Sequence, residues 1–307
     1  MDFVGEKIES FIQSLQSGKK CYTYEFSAPA SFSLESLIAT LQQQRFLTQL
    51  DAFVCTDSPL GKLKHSAVLA SLKLQYTFGI PSITTISMRD KNTLALQSDL
   101  LGMNSLDLRL VLALTGDPLR FGNQPQAKGV FEGSSALLLK IIAALNTNKD
   151  INGGELYGDS KRIYPFCVMN SYASRKESLY KKMREKIQNG ALAIFTQPIY
   201  DIGIAQELLE WCDKINGEFG SKCVLMFGFF PICSFKTALF LHHKLPGVFV
   251  PQTWLDTLES AESKGIAKEV GLEKSKMLFS ALSVLEERFH FMSANKPEII
   301  GEILSDM

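Results

Sequence analysis

Two carboxylates and a few amides carry the chemistry this sequence is capable of. Glu25 interrupts the β-favouring run at 21–28, CYTYEFSA. An acid in such surroundings is disfavoured in its charged form, so its pKa should rise and it becomes a proton donor near neutral pH. The plainer reading of Glu25 is a core acid paired with a base or hydroxyl. Asp117 stands in Gly116-Asp117-Pro118, directly after the apolar run at 110–115, where glycine permits tight geometry and proline stops a strand. A carboxylate at the C-terminal end of a buried parallel strand occupies the place where catalytic groups collect in barrels and doubly wound sheets. As a plain turn residue, Asp117 would have no chemical duty. The remaining apolar runs end in Thr56-Asp57, Arg89-Asp90-Lys91-Asn92, Asn170 and Thr196-Gln197. Amides and hydroxyls suit a heterocycle with many donors and acceptors, because they hydrogen-bond at modest desolvation cost. Asn92, which leads into a helix, also reads as a cap.

The elements that must position these residues alternate. Residues 3–16 form a leading amphipathic helix. Strands are predicted at 21–28, 52–56, 83–88, 110–115, 164–170, 191–197, 224–230 and 289–294. Helical spacing fills 33–49, 62–76, 92–102, 134–145, 176–189, 202–215, 235–243 and 297–304, with two more helices within 251–285. The loop at 117–129 is long and carries Gly, Pro and Gln, which marks it as a candidate active-site loop. The polar, glycine-bearing segment 146–161 reads as a surface insertion. Eight strands, each followed by a helix and without hairpin signals, predict one α/β domain over 1–307. It is a (β/α)8 TIM barrel with an N-terminal extra helix (1–20) and short insertions. Neither G-x-G-x-x-G nor G-x-x-x-x-G-K-[ST] follows any strand, so those loops hold no nucleotide here.

Composition narrows the partners. Lys and Arg number 32, as do Asp and Glu, which gives no electrostatic case for nucleic acid or an anionic membrane. No apolar run approaches the roughly 18 residues of a spanning helix. The N-terminus lacks the basic start and apolar core of a signal peptide, and the six cysteines show no C-x-x-C. Reduced thiols in a cytoplasmic protein are the expectation. The four histidines, His65, His242, His243 and His290, are scattered, so no metal site is expected. No G-x-S-x-G elbow is present.

In order and spacing, the strand-end motifs resemble the methylenetetrahydrofolate reductase family, flavin-dependent barrel enzymes of one-carbon metabolism and methionine biosynthesis. The resemblance runs through YEFSAP at 24–29, FVCTDSPLGKLK at 53–64, SMRDKNTLALQSDLLG at 87–102 and LALTGDP at 112–118. It continues in VFEGSS at 130–135, NGALAIFTQPIYD at 189–201, GFFPICSFK at 228–236 and HFMSANK at 290–296. It implies that Glu25 is the acid that protonates the folate nitrogen as the five-membered ring opens. It makes Asp117 the aspartate beside flavin and pterin, and Gln197 the folate-contacting glutamine, with Thr237, Leu241 and Lys296 also on the substrate side. Thr56, Thr85, Leu114, Thr115, Gly116, Asp117, Phe131, Asn170 and Lys186 fall where the family lines FAD, Lys186 as a phosphate contact.

The implied cofactor is FAD, and the implied partners are a folate substrate and an electron donor, either NAD(P)H or a partner redox subunit. The resemblance also allows self-association into a homo-oligomer. Several positions depart from the family. Thr85 replaces a flavin-site histidine, and Asn170-Ser171-Tyr172 replaces Tyr-Pro-Glu. Leu241, with Phe240 beside it, stands for a sandwiching aromatic, Thr237 for a glutamine and Ser134 for an acid. A second reading follows from these departures, a folate-binding or electron-relay subunit that needs a partner protein. A third is a barrel that binds folate without flavin.

Overall fold

Eight short apolar and β-branched runs form strands of four to six residues: β1 (Cys21–Phe26), β2 (Ala52–Cys55), β3 (Ser82–Ser87), β4 (Leu110–Leu114), β5 (Tyr164–Met169), β6 (Ala193–Pro198), β7 (Val224–Phe229) and β8 (Arg288–Phe291). All pair in parallel in chain order, and β8 closes on β1, in a computed structural model that describes residues 2–305. The architecture is a (β/α)8 barrel.

Helix α1 (Asp2–Gln16) precedes β1. Between successive strands lie α2 (Glu35–Gln42), α3 (Ala67–Phe78), α4 (Thr93–Ser105), α5 (Ser135–Leu145), α6 (Lys176–Gln188) and α7 (Ile202–Phe219). Three helices, α8 (Phe235–His243), α9 (Gln252–Ser263) and α10 (Ala267–Ser283), join β7 to β8, and α11 (Pro297–Leu304) closes the fold. Helices α3, α4, α5, α7 and α8 each start on a side chain that accepts a backbone N–H of the first turn: Ser66, Asn92, Ser134, Asp201 and Ser234. These caps fix where each loop at the strand C-termini must end.

Several boundaries move from their predicted places, among them α7, which runs on to Phe219, and three of the shifts have visible causes. The helix expected over 33–49 stops at Gln42 and gives way to a 3-10 turn at Arg45–Gln49, because Gln44 is extended and Phe46 turns in against the Tyr24 ring. The helix expected from 62 begins at Ala67. Residues before the Ser66 cap belong to a loop whose Leu63 N–H is held by Asn123 Oδ1 at 2.9 Å. The eighth strand ends at Phe291, since Ala294 and Asn295 adopt φ of 51° and 61° and turn the chain. The Asn295 amide then brackets Ser27 beyond β1, donating to its carbonyl at 2.7 Å and accepting its N–H at 2.9 Å. The 146–161 segment is largely exposed and folds around a bridge between Lys149 and Glu155. No helix among the described residues is long and apolar enough to cross a membrane.

Apolar side chains pack in two shells. One lies between strands and helices. The other fills the barrel's lower interior with Cys21, Ala52, Val54, Ile83, Leu110, Leu112, Phe166 and Phe195. The open bottom of that inner shell is sealed by α1, whose Ile8, Phe11, Ile12 and Leu15 belong to the same cluster. Charges fix the plug at its edges. Arg109 bonds Glu9 at 2.9 Å and Asp107 at 3.1 Å, and Arg288 donates to the Leu15 carbonyl at 3.1 Å. With the bottom sealed, the strand C-termini form the one end of the interior left for ligands.

Truncating Ile8, which is fully buried, to Ala should lower unfolding stability by about 2–4 kcal/mol. Urea denaturation measures this, and an unchanged midpoint would contradict the plug. A pH effect accompanies it. Burial pushes the Glu9 carboxyl up, but the Tyr164 hydroxyl and the Arg109 guanidinium outweigh it and hold the group below its ordinary 4.5. Glu9 therefore stabilises the fold above that value and loses its contribution as pH falls through the lowered one. Replacing it with Gln should flatten the acid limb of the stability–pH curve, and an unchanged limb would remove Glu9 from the anchorage.

Candidate active site

Side chains of a strand alternate between barrel interior and helix layer, so residues sharing parity with the inner cluster point inward. Glu25 shares parity with Cys21, Thr56 with Ala52 and Val54, and Thr85 with Ile83. Leu114 goes with Leu110 and Leu112, Asn170 with Tyr164 and Phe166, and His290 with its register partner Thr23. On β6 the register to β7 shifts between Phe195 and Pro198, a bulge that re-aims Gln197. Gly228 of β7 backs this bulge, and a Cβ there would lie 2.2 Å from the Thr196 carbonyl oxygen. Glu25, Thr56, Thr85, Leu114, Asp117, Asn170 and Gln197 thus meet at one rim, although they span most of the chain.

Glu25 is not the buried acid that its strand context predicted. Its side chain is 33% exposed, against 4% for His290, whose Nε2 lies 3.5 Å from Glu25 Oε2. The cause is its place near the end of β1, where one side of the carboxyl meets the interior and the other the mouth. His290 is the residue that motif reasoning missed. The signal was available in the alternation of Arg288-Phe289-His290-Phe291, which turns the imidazole inward between two outward rings.

On the opposite rim, the long loop after β4 is a folded cap. Arg89 is 1% exposed and grips Asp90 through Nε at 2.7 Å and Nη2 at 2.5 Å, and its Nη1 donates to the Ser58 carbonyl at 3.1 Å. Asp117 Oδ2 accepts the Leu60 N–H at 2.7 Å, so this carboxylate stands at the rim as expected but also ties the β2 and β4 loops together. Gly116 has φ of 97°, and a Cβ there would sit 2.7 Å from Arg89 Cβ, which leaves room for glycine alone. Val130 and Phe131 donate to the carbonyls of Arg89 and Met88, which lays the returning loop across the top of β3. Asp57 accepts the Ser87 N–H at 3.1 Å, and burial pushes its carboxyl up. Asn92 caps α4 through the Ala95 N–H.

The remaining positions divide. Thr56 Oγ1 donates to the Phe26 carbonyl at 3.4 Å, and Thr115 Oγ1 accepts the Ser135 N–H at 3.1 Å. Lys186 Nζ reaches Ser135 Oγ at 3.0 Å, beside the Ser134-capped N-terminus of α5. Thr85 Oγ1 is buried without a hydrogen-bond partner. Asn170 lies under the loop after α8, so close that a Cβ on Gly247 would fall 2.1 Å from its Cγ. Ser171 and Tyr172 both donate their N–H to the Gly247 carbonyl. Gln197 is half-buried and Lys296 exposed at the start of α11, while Thr237 Oγ1 pairs with Ser234 Oγ at 2.9 Å.

Leu241 is a correction. It is 2% exposed within an apolar cluster with Ala238, Val248 and Trp254, so it faces no ligand, and exposed Phe240 is its neighbour on α8. Phe32, Phe121, Phe131 and Tyr172 are also exposed aromatics in loops after β1, β4 and β5. Three of these are phenylalanines that the loops hold out of the core. Two clefts, of about 400 and 320 Å³, lie away from it, along α3 and beside Gln16 and Arg288 at the barrel bottom.

The donor set suits a flavin dinucleotide. A lysine beside a helix N-terminus has the charge and donors that a phosphate needs, and a buried unpaired hydroxyl on β3 suits a ring heteroatom. Among the described residues, no three His, Cys, Asp or Glu side chains converge as a metal site.

Comparison with known proteins adds three findings. No curated protein matches the sequence. A protein from Clostridium thermocellum that binds two copies of 5-methyl-5,6,7,8-tetrahydrofolic acid shares the fold at TM-score 0.65 and 16% identity over 96% of both chains. EDTA monooxygenase from Chelativorans sp. BNC1 shares it at TM-score 0.55 and 12% identity, over 94% of this chain and 92% of that one. The family model for methylenetetrahydrofolate reductase matches residues 10–307, nearly the whole barrel including every strand-end residue described above. The chain belongs to the methylenetetrahydrofolate reductase family.

Proposed function

We propose that the protein reduces 5,10-methylenetetrahydrofolate to 5-methyltetrahydrofolate with FAD as cofactor. The observation that carries this reading is the placement of Glu25, a carboxyl open to the barrel mouth on one side and backed by an imidazole on the other. Family membership and a structural neighbour that binds methyltetrahydrofolate support the same substrate class.

In this reading, Glu25 donates a proton to the folate nitrogen that leaves the bridging methylene carbon. Breaking that carbon–nitrogen bond leaves an electrophilic carbon on the pterin side. Gln197 and Asn170 supply amides for the pterin edge, and the exposed rim aromatics supply apolar faces for flat rings. Lys186, with the α5 N-terminus, would hold the dinucleotide phosphates, and Thr85, Leu114 and Gly116 would line the isoalloxazine. FAD, when bound, supplies the reducing electron pair. The chain's own contribution is to stack the rings, exclude water between them and deliver the proton.

The electron donor is NAD(P)H or a partner redox subunit. Burial of Leu241 favours the second, since the α8 position expected to sandwich a nicotinamide ring is sealed in core. Turnover of the isolated chain with NADH would exclude obligate dependence on a partner.

Two outcomes test the site. With the FAD-loaded chain reduced by dithionite, mixing with methylenetetrahydrofolate should reoxidise the flavin. Glu25→Gln should slow this by about 10²–10⁴-fold at unchanged flavin content. Undiminished reoxidation would remove Glu25 from the chemistry. Lys186→Ala should weaken FAD binding by about 10–100-fold, the loss of one charge-assisted hydrogen bond, as read by flavin fluorescence titration. Unaltered affinity would move the phosphates elsewhere.

A further inference from the structure

Helices α3 and α4 lack the polar outer face that a barrel helix turns to water. Their outward positions carry Leu69 and Tyr76 on α3, Leu94 and Leu101 on α4, and Leu106 just beyond it. All five are exposed, Leu94 at 75%. The Tyr76 hydroxyl donates to the Leu106 carbonyl at 3.4 Å, so the two helices present one continuous face. The only charged side chains within α3 and α4 are Lys73 and Asp99, and both are engaged, Lys73 with Glu35 at 3.8 Å and Asp99 with Lys91. By contrast, α6 carries seven charged residues among its 13. A helix that is apolar on its outer side as well as its inner one belongs under a cover. The chain's own 146–161 segment does not supply it. That segment meets α4 at Gln97 and Asn104 and leaves Leu94 and Leu101 open.

We propose that this face is the interface of a two-fold homodimer, with α4 crossing its counterpart in a second copy of the chain. Three features select a second copy over an unlike protein. The first is shape. Ser98 and Gly102, four residues apart on the exposed side of α4, form a shallow groove, and Leu94 and Leu101 stand beside it as ridges. Ridge and groove on one helix are self-complementary about a two-fold axis, the leucines of each copy seating in the groove of the other. No atom lies within 4 Å of a Cβ built on Gly102, so the lone chain has no need of glycine there, where it weakens a helix relative to alanine. Close approach of a second backbone accounts for it. The second feature is charge. A face without free charges has nothing with which to steer or select an unlike partner, whereas contacts between identical copies are the more apolar class. The third is area. Helices of 12 and 13 residues are about 18 and 20 Å long, and side by side they cover roughly 20 by 20 Å in projection. Side-chain relief brings that face close to the roughly 800 Å² of accessible surface that each partner gives a stable contact. The cleft of about 400 Å³ along α3, lined by Leu69, Leu72, Lys73, Tyr76 and Thr77, opens on the same side and offers a seat for an apolar side chain. The contact lies on the barrel's flank, so both mouths stay open and each copy keeps a whole site.

Sedimentation velocity on the full chain tests the contact. The wild type should sediment as two chains at about 10 µM, since interfaces of this size hold at micromolar concentrations or below. Leu101→Glu places a charge in each half of the interface and should weaken association at least about 100-fold, leaving single chains with an unchanged circular dichroism spectrum. Gly102→Gln should also split the dimer by blocking the close approach. Added to the single-chain Leu101→Glu protein, however, it should raise the urea midpoint, because glutamine is the better helix former. This pair of opposite effects separates a lost contact from a damaged fold. In a second measurement, Ser98→Cys should give covalent dimers with a short bis-maleimide, and Lys181→Cys on α6 should not. A wild type that stays single at about 100 µM overturns the proposal. A dimer that survives both Leu101→Glu and Gly102→Gln overturns it too, because its contact then lies elsewhere. Should Leu101→Glu fail to fold, cross-linking decides. Dimers from position 98 alone support the crossing of α4, and equal yields from 98 and 181 refute it.

Discussion

Parity along closed parallel strands is the constraint on which the rest of the structure depends. Once eight strands pair in parallel around one axis, every second side chain must point inward, and the last inward residue of each strand must share a rim with the others. That geometry brings Glu25 of β1, Asn170 after β5 and Gln197 of β6 together across 172 positions of sequence, the difference between 197 and 25. The inner apolar cluster and α1 occupy the lower interior, so the polar inward residues gather toward the top, where they pair with one another or face the mouth.

The rim divides into a braced half and an open half. Around β2, β3 and β4, buried Arg89 gathers the Asp90 carboxylate and the Ser58 carbonyl while Asp117 takes the Leu60 N–H, so three loops form one rigid wall. A guanidinium suits this task because its planar fork meets several acceptors at once, and Asp90 beside it raises its pKa further and keeps it charged. Around β1 and β8 the polar groups are fewer and stacked in depth, with Thr23 below, His290 in the middle and Glu25 above. A braced wall facing a short column of polar groups is an arrangement suited to placing flat rings against a carboxyl.

Most of the barrel was legible in the sequence because its elements are marked locally. Apolar runs end at Gly116, Pro198 and Pro231, and helices open on Ser66, Asn92, Ser134, Asp201 and Ser234. What sequence alone misplaced depends on contacts between distant segments. The exposure of Glu25 is set by how far β1 rises at the mouth, and the burial of Leu241 by the docking of α9, whose Trp254 shares its cluster. The second duty of Asp117 requires knowing that the β2 loop reaches it. His290 was hidden for a different reason. Its signal lies in the period of two along β8, which alone places the imidazole on the inner face beside Glu25.

The most direct measurement is a crystal structure of the chain with FAD and 5-methyltetrahydrofolate. The account predicts the pterin edge on Gln197 and the departing nitrogen within hydrogen-bond reach of the outward Glu25 oxygen, with the dinucleotide phosphates at Lys186. Folate seated away from Glu25, or a rim that binds neither molecule, would contradict it.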